Sequence, residues 1–181
     1  MAAFNPVDFG KAERVPVSKK GIASEKDLHQ KVWDTSLRML ASSPKSRYEL
    51  KKKLVHKGYP FSTIEKALDQ LENHKLLNDK QYAEDLFSRF QSSHPSGREK
   101  IIFELKRRGI APSIWEEILE GYGKEEEMGA ARELGRRCWS LFSGLSPLKR
   151  RKKVYERLLR RGFGFQTADE ITAEFMHEEK S

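Results

Sequence analysis

The side chains of this sequence that could do chemistry are cations, and they occur in three clusters. Lys51–Lys53, Arg107–Arg108 and Lys149–Lys153 each stand within a short segment of helical apolar pattern. The chain holds 35 Lys and Arg against 27 Asp and Glu, a formal net charge of +8. Clustered cations bind phosphate or carboxylate groups, so the composition favours an anionic partner such as nucleic acid or an acidic protein surface.

The cationic surplus is concentrated in one part of the chain. Residues 127–165 hold eleven Lys and Arg against three Glu, whereas 166–181 hold five acidic residues and one Lys. Consecutive residues spread around all sides of a helix, so about two or three of the cations in 149–153 can face one partner. The alternative interpretation of every cluster is a solvated helix face, with the cations near helix ends matched to the helix dipole.

Residues for catalysis or metal binding show no comparable pattern. The five histidines are scattered without paired-ligand spacing, and the glycines follow helical segments as stops instead of forming a phosphate loop. The single cysteine, Cys138, falls on an apolar face and is expected to be an inert core thiol. We therefore expect no enzyme, no metal and no cofactor. One cysteine and no long apolar run favour a cytoplasmic protein.

The first two cationic clusters lie within a phrase that occurs three times, and the third cluster directly precedes the third copy. LKKKLVHKGY, IIFELKRRGI and VYERLLRRGF align on Gly58, Gly109 and Gly162, which are spaced by 51 and 53 residues. Apolar residues four and eight positions before each glycine share one helix face. The glycine is typical of the position just after a helix, where a positive φ brings no Cβ clash. Each phrase is therefore predicted to be a short amphipathic helix with a glycine stop.

The starts of these helices differ from one another. Ser46 with Glu49 predicts a capping box, and Ser96 with Glu99 predicts a second one, whereas the third copy, after Pro147, has none. Further helical patterns precede and follow each phrase, and no stretch alternates as a strand over more than a few residues. The pattern predicts an all-α fold of three tandem three-helix modules.

Module boundaries are predicted from the loops between these patterns. We expect a disordered extension at 1–25, modules at 26–78, 79–122 and 123–176, and a disordered tail at 177–181. Modules of this size are near the lower limit for an independent core, so each should rely on its neighbours.

Aromatic residues are predicted to belong mainly to the cores. Tyr82 is expected to cap the core of the first module with its hydroxyl pointing outward. Base stacking needs exposed aromatic rings between cations, and Tyr155 and Phe163, among the arginines of the third phrase, are the only candidates for it.

The order of motifs in the first module resembles the RecX family of bacterial recombinase regulators. The resemblance rests on S-R-Y-E-L at 46–50, K-G-Y at 57–59, LLND at 76–79 and the Tyr82–Ala83 pair. ELKRRGI is similar to the second repeat of that family and LLRRGF to the third. The resemblance covers about residues 33–175.

The resemblance implies three helix-turn-helix-like repeats in an elongated, curved molecule. It also implies binding to the RecA recombinase, especially to its filament on single-stranded DNA. The expected outcome is inhibition of RecA ATPase, strand-exchange and co-protease activity, and so regulation of recombination, DNA repair and the SOS response. Single-stranded DNA is a second candidate partner, and we expect a monomer with no membrane partner.

With an anionic filament as partner, the cations of the repeated helices become the candidate contact residues. They are Lys52, Lys53, Lys57, Arg107, Arg108, Lys149, Arg150, Arg151, Lys152, Lys153, Arg157, Arg160 and Arg161. The alternative function is a helix-turn-helix-like DNA-binding protein, since such readers also use basic helices. The third helix of each module is acidic, which argues against its insertion into a DNA groove.

Overall fold

The computed structural model describes residues 24–179, and all regular structure in that range is helical. In chain order the helices are α1 (Glu25–Ser42), α2 (Arg47–His56), α3 (Phe61–Asn73), α4 (Asp79–Gln91), α5 (Arg98–Arg107), α6 (Pro112–Leu119), α7 (Lys124–Leu141), α8 (Pro147–Arg160) and α9 (Phe165–Glu178). The prediction of an all-α fold with three tandem three-helix modules is confirmed.

The two predicted disordered ends fall largely outside the described range. The expectation for 1–25 lies outside it except at Ser24, which caps α1, and at Glu25, which begins that helix. At the other end α9 continues through Glu178, so two residues of the expected tail are helical, and 180–181 lie outside the described range. No helix of the described range is long and apolar enough to cross a membrane.

The three repeat glycines end α2, α5 and α8 in the same way. Gly58, Gly109 and Gly162 have φ values of +82°, +71° and +80°. In each turn the N–H of the next residue donates to the carbonyl five positions earlier, which closes the end of the helix. The prediction that these glycines occupy a left-handed position after a helix is confirmed.

Each set of three helices encloses its own apolar core. Substantial helix contacts occur within α1–α3, within α4–α6 and within α7–α9. The first core is made by Val32, Leu50, Leu54, Ile64, Ala67, Leu68, Leu71 and Leu77. The second is made by Tyr82, Ala83, Leu86, Ile101, Leu105, Ile110, Leu119 and Tyr122. The third is made by Ala131, Leu134, Cys138, Val154, Leu158, Phe163, Ala168, Ile171 and Phe175. The modules therefore follow one another in an elongated row.

One of the two predicted capping boxes forms. The Ser46 hydroxyl accepts the Glu49 N–H at 3.1 Å, and the Glu49 carboxylate accepts the Ser46 N–H at 3.2 Å. The predicted Ser96 box is wrong, because α5 is capped by Gly97 and the Ser96 hydroxyl donates to His94. As predicted, the repeated helix of the third module, α8, has no side-chain cap, and it begins at its proline, one turn earlier than α2 and α5 begin relative to their glycines.

Candidate functional site

The second helices of neighbouring modules meet end to end, and we call these two contacts the first joint and the second joint. At the first joint the Ser46 hydroxyl, at the start of α2, donates to the Arg108 carbonyl at 2.6 Å. At the second joint the Gly97 N–H, at the start of α5, donates to the Arg161 carbonyl at 2.9 Å. The end of one repeated helix therefore accepts hydrogen bonds from the start of the preceding one.

A carboxylate from the following module completes each joint. Asp79, the first residue of α4, accepts the Arg47 N–H at 2.7 Å, and Glu127 of α7 accepts the Arg98 N–H at 3.0 Å. Both N–H groups belong to the first residue of a helix, where no intrahelical acceptor exists. Burial raises the pKa of Asp79, and the Arg47 N–H opposes that shift. Sequence reasoning missed the role of both carboxylates, although Asp79 ends the LLND segment, because no local pattern shows which backbone N–H they reach.

The repeat glycines at the joints also allow close approach between backbones. A Cβ at Gly109 would lie 2.4 Å from the Tyr48 Cβ, and one at Gly162 would lie 2.4 Å from the Lys100 Cβ. At Gly58, in the first of the three described modules, a Cβ would meet nothing within 4 Å. Two of the three glycines thus serve the joints as well as the helix stops.

A polar network lies across the first joint. The Tyr82 hydroxyl donates to Glu49 at 3.0 Å and accepts from Arg108 at 3.0 Å. The expectation for this tyrosine is wrong, because its ring belongs to the second core and its hydroxyl is bonded instead of facing solvent. Arg108 also pairs with Glu104. This candidate contact residue therefore holds two modules together.

The carboxyl of Glu104 receives three cations. Burial alone would raise its pKa, but hydrogen bonds from Arg107, Arg108 and Lys100 lower the pKa to about 2. Arg107 donates to it at 2.8 Å and is otherwise exposed. The charge of Arg107 is therefore partly neutralised within its own helix.

An arginine eleven residues before each repeat glycine anchors the third helix of its module. Arg47 reaches Glu65, Asp69 and Glu72 of α3 at 2.7 to 2.8 Å. Arg98 donates to two carbonyls at the end of the second module, those of Leu119 and Tyr122. Arg151 pairs with Asp169 of α9 at 2.8 Å. Alignment on the repeat glycines brings these three arginines into register, and that register is the signal that could have found them.

Two of the five consecutive cations at the start of α8 have partners within the third module. Arg151 is the α9 anchor just described. Arg150 stacks over Trp139, with its guanidinium carbon 4.4 Å from the ring centroid, and pairs with Glu179 at 2.8 Å. Its side chain is only 12% exposed. These two arginines hold α8 against α7 and α9.

The remaining candidates on α8 form an exposed surface, which we call the α8 cationic face. Val154 and Leu158 are fully buried, and this fixes the rotation of the helix about its axis. The face consists of Lys149, Lys152, Lys153, Arg157 and Arg160. No acidic side chain of residues 24–179 forms an ion pair with any of the five. The five cations therefore have no direct ion-pair partner in the described residues, and Glu156 is the one carboxylate that lies among them on this side of α8.

The other candidates divide in the same way. Lys52, Lys53 and Lys57 on the first module are exposed and have no ion-pair partner among the described residues, whereas Lys51 pairs with Glu65 at 2.6 Å. Arg161 is partly buried at the second joint, where its guanidinium donates to the Pro95 carbonyl at 3.0 Å and burial lowers its pKa. Among the candidates, the exposed cations without an ion-pair partner in the described residues thus lie on the first and third modules.

Neither aromatic candidate for base stacking is an exposed platform. Phe163 is 3% exposed in the third core, and Tyr155 packs against the same core. Phe163 follows its repeat glycine and folds back onto α8, while Tyr155 lies at the edge of the core, so the structure does not support base stacking by either ring. Cys138 is buried, and burial raises the pKa of its thiol. Within residues 24–179, no three His, Cys, Asp or Glu side chains come together in a way that could hold a metal ion.

Comparison with known proteins gives one consistent result. Residues 33–71 match the family described as RecX, first three-helix domain, and 125–171 match RecX, third three-helix domain. The chain is 32% identical over 148 residues to the regulatory protein RecX of Chlorobaculum tepidum, covering 82% of this chain and 90% of that protein. It is 28% identical over 158 residues to RecX of Clostridium perfringens, covering 86% of this chain and 73% of that protein. The crystal structure of RecX from Lactobacillus salivarius superposes with a TM-score of 0.66 at 25% identity, covering 82% of this chain and 97% of that one.

Proposed function

The chain belongs to the RecX family of regulatory proteins, and from this we propose that it binds the RecA recombinase and its filament on single-stranded DNA. In this proposal binding inhibits the ATPase, strand-exchange and co-protease activities of RecA. The observation that carries the proposal is the α8 cationic face, in a chain whose relatives are named regulatory proteins. With DNA at the centre of the filament, the proposal implies a cytoplasmic protein.

The α8 cationic face suits a polyanionic polymer for a physical reason. Five exposed cations on one helix create a strong local potential, and ions screen it only beyond about 10 Å at 0.1 M salt. Together with Lys52, Lys53 and Lys57, the face gives an elongated molecule two cationic surfaces, one on each outer module. We propose that these eight residues contact the filament, and that Arg108, Arg150, Arg151 and Arg161 act mainly within the chain.

The DNA-reading alternative receives less support. The carboxylates of α3 and α9 are partly paired by Arg47 and Arg151, yet Asp69 and Asp169 are still more than 60% exposed on those helices. Their negative charge would face the bases if a third helix entered a groove, which is unfavourable.

The test is the single-stranded-DNA-dependent ATPase of RecA from the same organism, with the purified chain titrated in. Loss of ATPase at far less than one chain per RecA would indicate action at filament ends or through disassembly. Loss only near equal amounts would indicate binding along the filament or to free RecA. An unchanged ATPase, with direct binding to duplex DNA, would reject the proposal in favour of the DNA-binding alternative.

A further inference from the structure

The end of α2 has the same construction as the two helix ends that form joints, but no helix of residues 24–179 is docked on it. Gly58 has the same left-handed φ as Gly109 and Gly162. The Arg108 and Arg161 carbonyls each accept a hydrogen bond from the start of another helix. The equivalent Lys57 carbonyl accepts none from the residues that the structure describes. Within this part of the chain, α2 therefore presents a joint surface without its second half.

From this comparison we infer that the Lys57–Gly58 end of α2 is a docking surface for the start of an α-helix of the protein partner. The inference rests on the proposed function, because the partner is taken to be the recombinase. The fitting helix has a serine or glycine cap that donates to the Lys57 carbonyl, as Ser46 and Gly97 do at the joints. Its first turn passes over Gly58, where the absence of a Cβ leaves room for a backbone.

Charge complementarity defines the docking helix further. At the first joint Glu49, in the first turn of α2, lies 3.9 Å from the Arg108 guanidinium. Lys57 is the counterpart of Arg108, and Lys53 and His56 are exposed on the same last turn of α2. A carboxylate in the first turn of the docking helix is therefore favoured, and acidic residues are also common at that position in helices.

A second copy of the chain is a poorer occupant. The first turn of α8 carries Lys149 and Arg150, which would face Lys57 with like charge. The acidic first turn of α1 already has a partner within its own module, because Glu25 pairs with Lys66 at 2.7 Å. The chemistry therefore points to a helix of the partner.

The test uses a neutral substitution that fills the open space without changing charge. Gly58→Asn keeps the fold, because asparagine tolerates the left-handed region and nothing lies within 4 Å of the new Cβ. Gly121→Asn is the matched control, since Gly121 is also exposed with nothing within 4 Å of a Cβ and has no positive φ. Both variants and the wild-type chain are titrated onto RecA filaments assembled on single-stranded DNA, at low and at high salt.

The expected result is about tenfold weaker filament binding by Gly58→Asn at both salt concentrations, with Gly121→Asn equal to the wild-type chain. Equal binding by all three chains overturns the inference, and so does a loss confined to low salt, since steric exclusion is not screened. A change in the sedimentation of Gly58→Asn alone would assign the surface to a second copy. Failure of the wild-type chain to bind filaments would instead reject the proposed function, and the inference with it.

A second variant covers the case in which Gly58→Asn unfolds. Lys57→Glu leaves the backbone conformation unchanged and repels an acidic first turn. It is expected to weaken filament binding more than Lys31→Glu, a reversal at another exposed lysine of the same module. Equal effects of the two reversals would overturn the inference.

Discussion

The Arg108 carbonyl, at the end of α5, accepts a 2.6 Å hydrogen bond from the hydroxyl of Ser46, the residue that caps α2. The same hydroxyl accepts the Glu49 N–H, so one side chain both starts a helix and joins two modules. At the second joint the glycine N–H replaces the hydroxyl, with the same direction of donation. The joints are thus made from helix ends instead of helix faces.

Ser46→Ala is expected to lower the free energy of unfolding by more than the loss of an ordinary N-cap does. Removing a serine cap costs about 1 kcal/mol, and leaving the Arg108 carbonyl without its donor adds about 1 kcal/mol. Ser24→Ala is the matched control, since Ser24 caps α1 with the same box but joins no modules. Urea unfolding of both variants measures the difference. Equal losses of unfolding free energy would contradict the role of Ser46 in the joint.

Alanine substitutions at the repeat glycines are expected to distinguish two losses of unfolding free energy. One comes from the strain of a positive φ, and the other comes from a steric clash at a joint. Gly58→Ala should lose about 1–2 kcal/mol of unfolding free energy, the strain of a left-handed residue. Gly162→Ala should lose about 1–3 kcal/mol more, because its Cβ collides with Lys100. Thermal unfolding checks the order, and small-angle scattering should detect altered module arrangement in Gly162→Ala only. A larger loss for Gly58→Ala would contradict this account.

Reversal of charge on the α8 cationic face is expected to weaken filament binding. Lys149, Lys152 and Lys153 changed together to Glu should reduce affinity at low salt by more than tenfold and flatten its salt dependence. The variant leaves Arg150 and Arg151 in place, so α8 stays packed. Reversal of Lys26, Lys31 and Lys75 changes the net charge equally and is the control. Equal loss in both triple variants would mean that only net charge matters.

The carboxyl of Glu104 is expected to contribute a measurable acid sensitivity. Its pKa is about 2 in the folded chain and about 4.3 in an unfolded one, so its stabilising effect is complete above the higher value and is lost as pH falls toward the lower. The stability difference between the wild-type chain and Glu104→Gln should therefore shrink as pH is lowered from about 5 to 2.

Urea titrations at each pH measure that difference. Glu99→Gln, at an exposed position of the same helix, is the control and should follow the wild-type curve. A constant difference between the wild-type chain and Glu104→Gln at every pH would contradict the role assigned to Glu104.

The repeat and its helices could be predicted because they depend on local signals. Apolar spacing of four and eight residues before Gly58, Gly109 and Gly162 fixes a helix and its stop, and the structure has all three. Ser46 was predicted as a cap on the same basis. The Ser96 prediction failed because the Gly97 N–H donates to the Arg161 carbonyl and Gly97 caps the helix instead. Arg161 belongs to another module, and no local sequence pattern reveals its approach.

The sequence could not predict which cations are exposed and which have partners within the chain. Five consecutive charges at 149–153 look equivalent in a sequence, yet Arg150 and Arg151 turn inward to Trp139 and Asp169 while the three lysines stay exposed. Which side of α8 faces its neighbours depends on the crossing of three helices. The planar guanidinium suits the inward positions, since it stacks and donates several hydrogen bonds at once.

The two joints determine how stiffly the modules are connected, a property that the composition of the chain does not indicate. Three cores without shared apolar residues are connected by short polar contacts, such as the bond from Gly97 to Arg161. Bending stiffness is then set by a few hydrogen bonds at each joint, while each module resists deformation through its own packing. A chain built this way is expected to change its curvature one joint at a time, without unfolding any module.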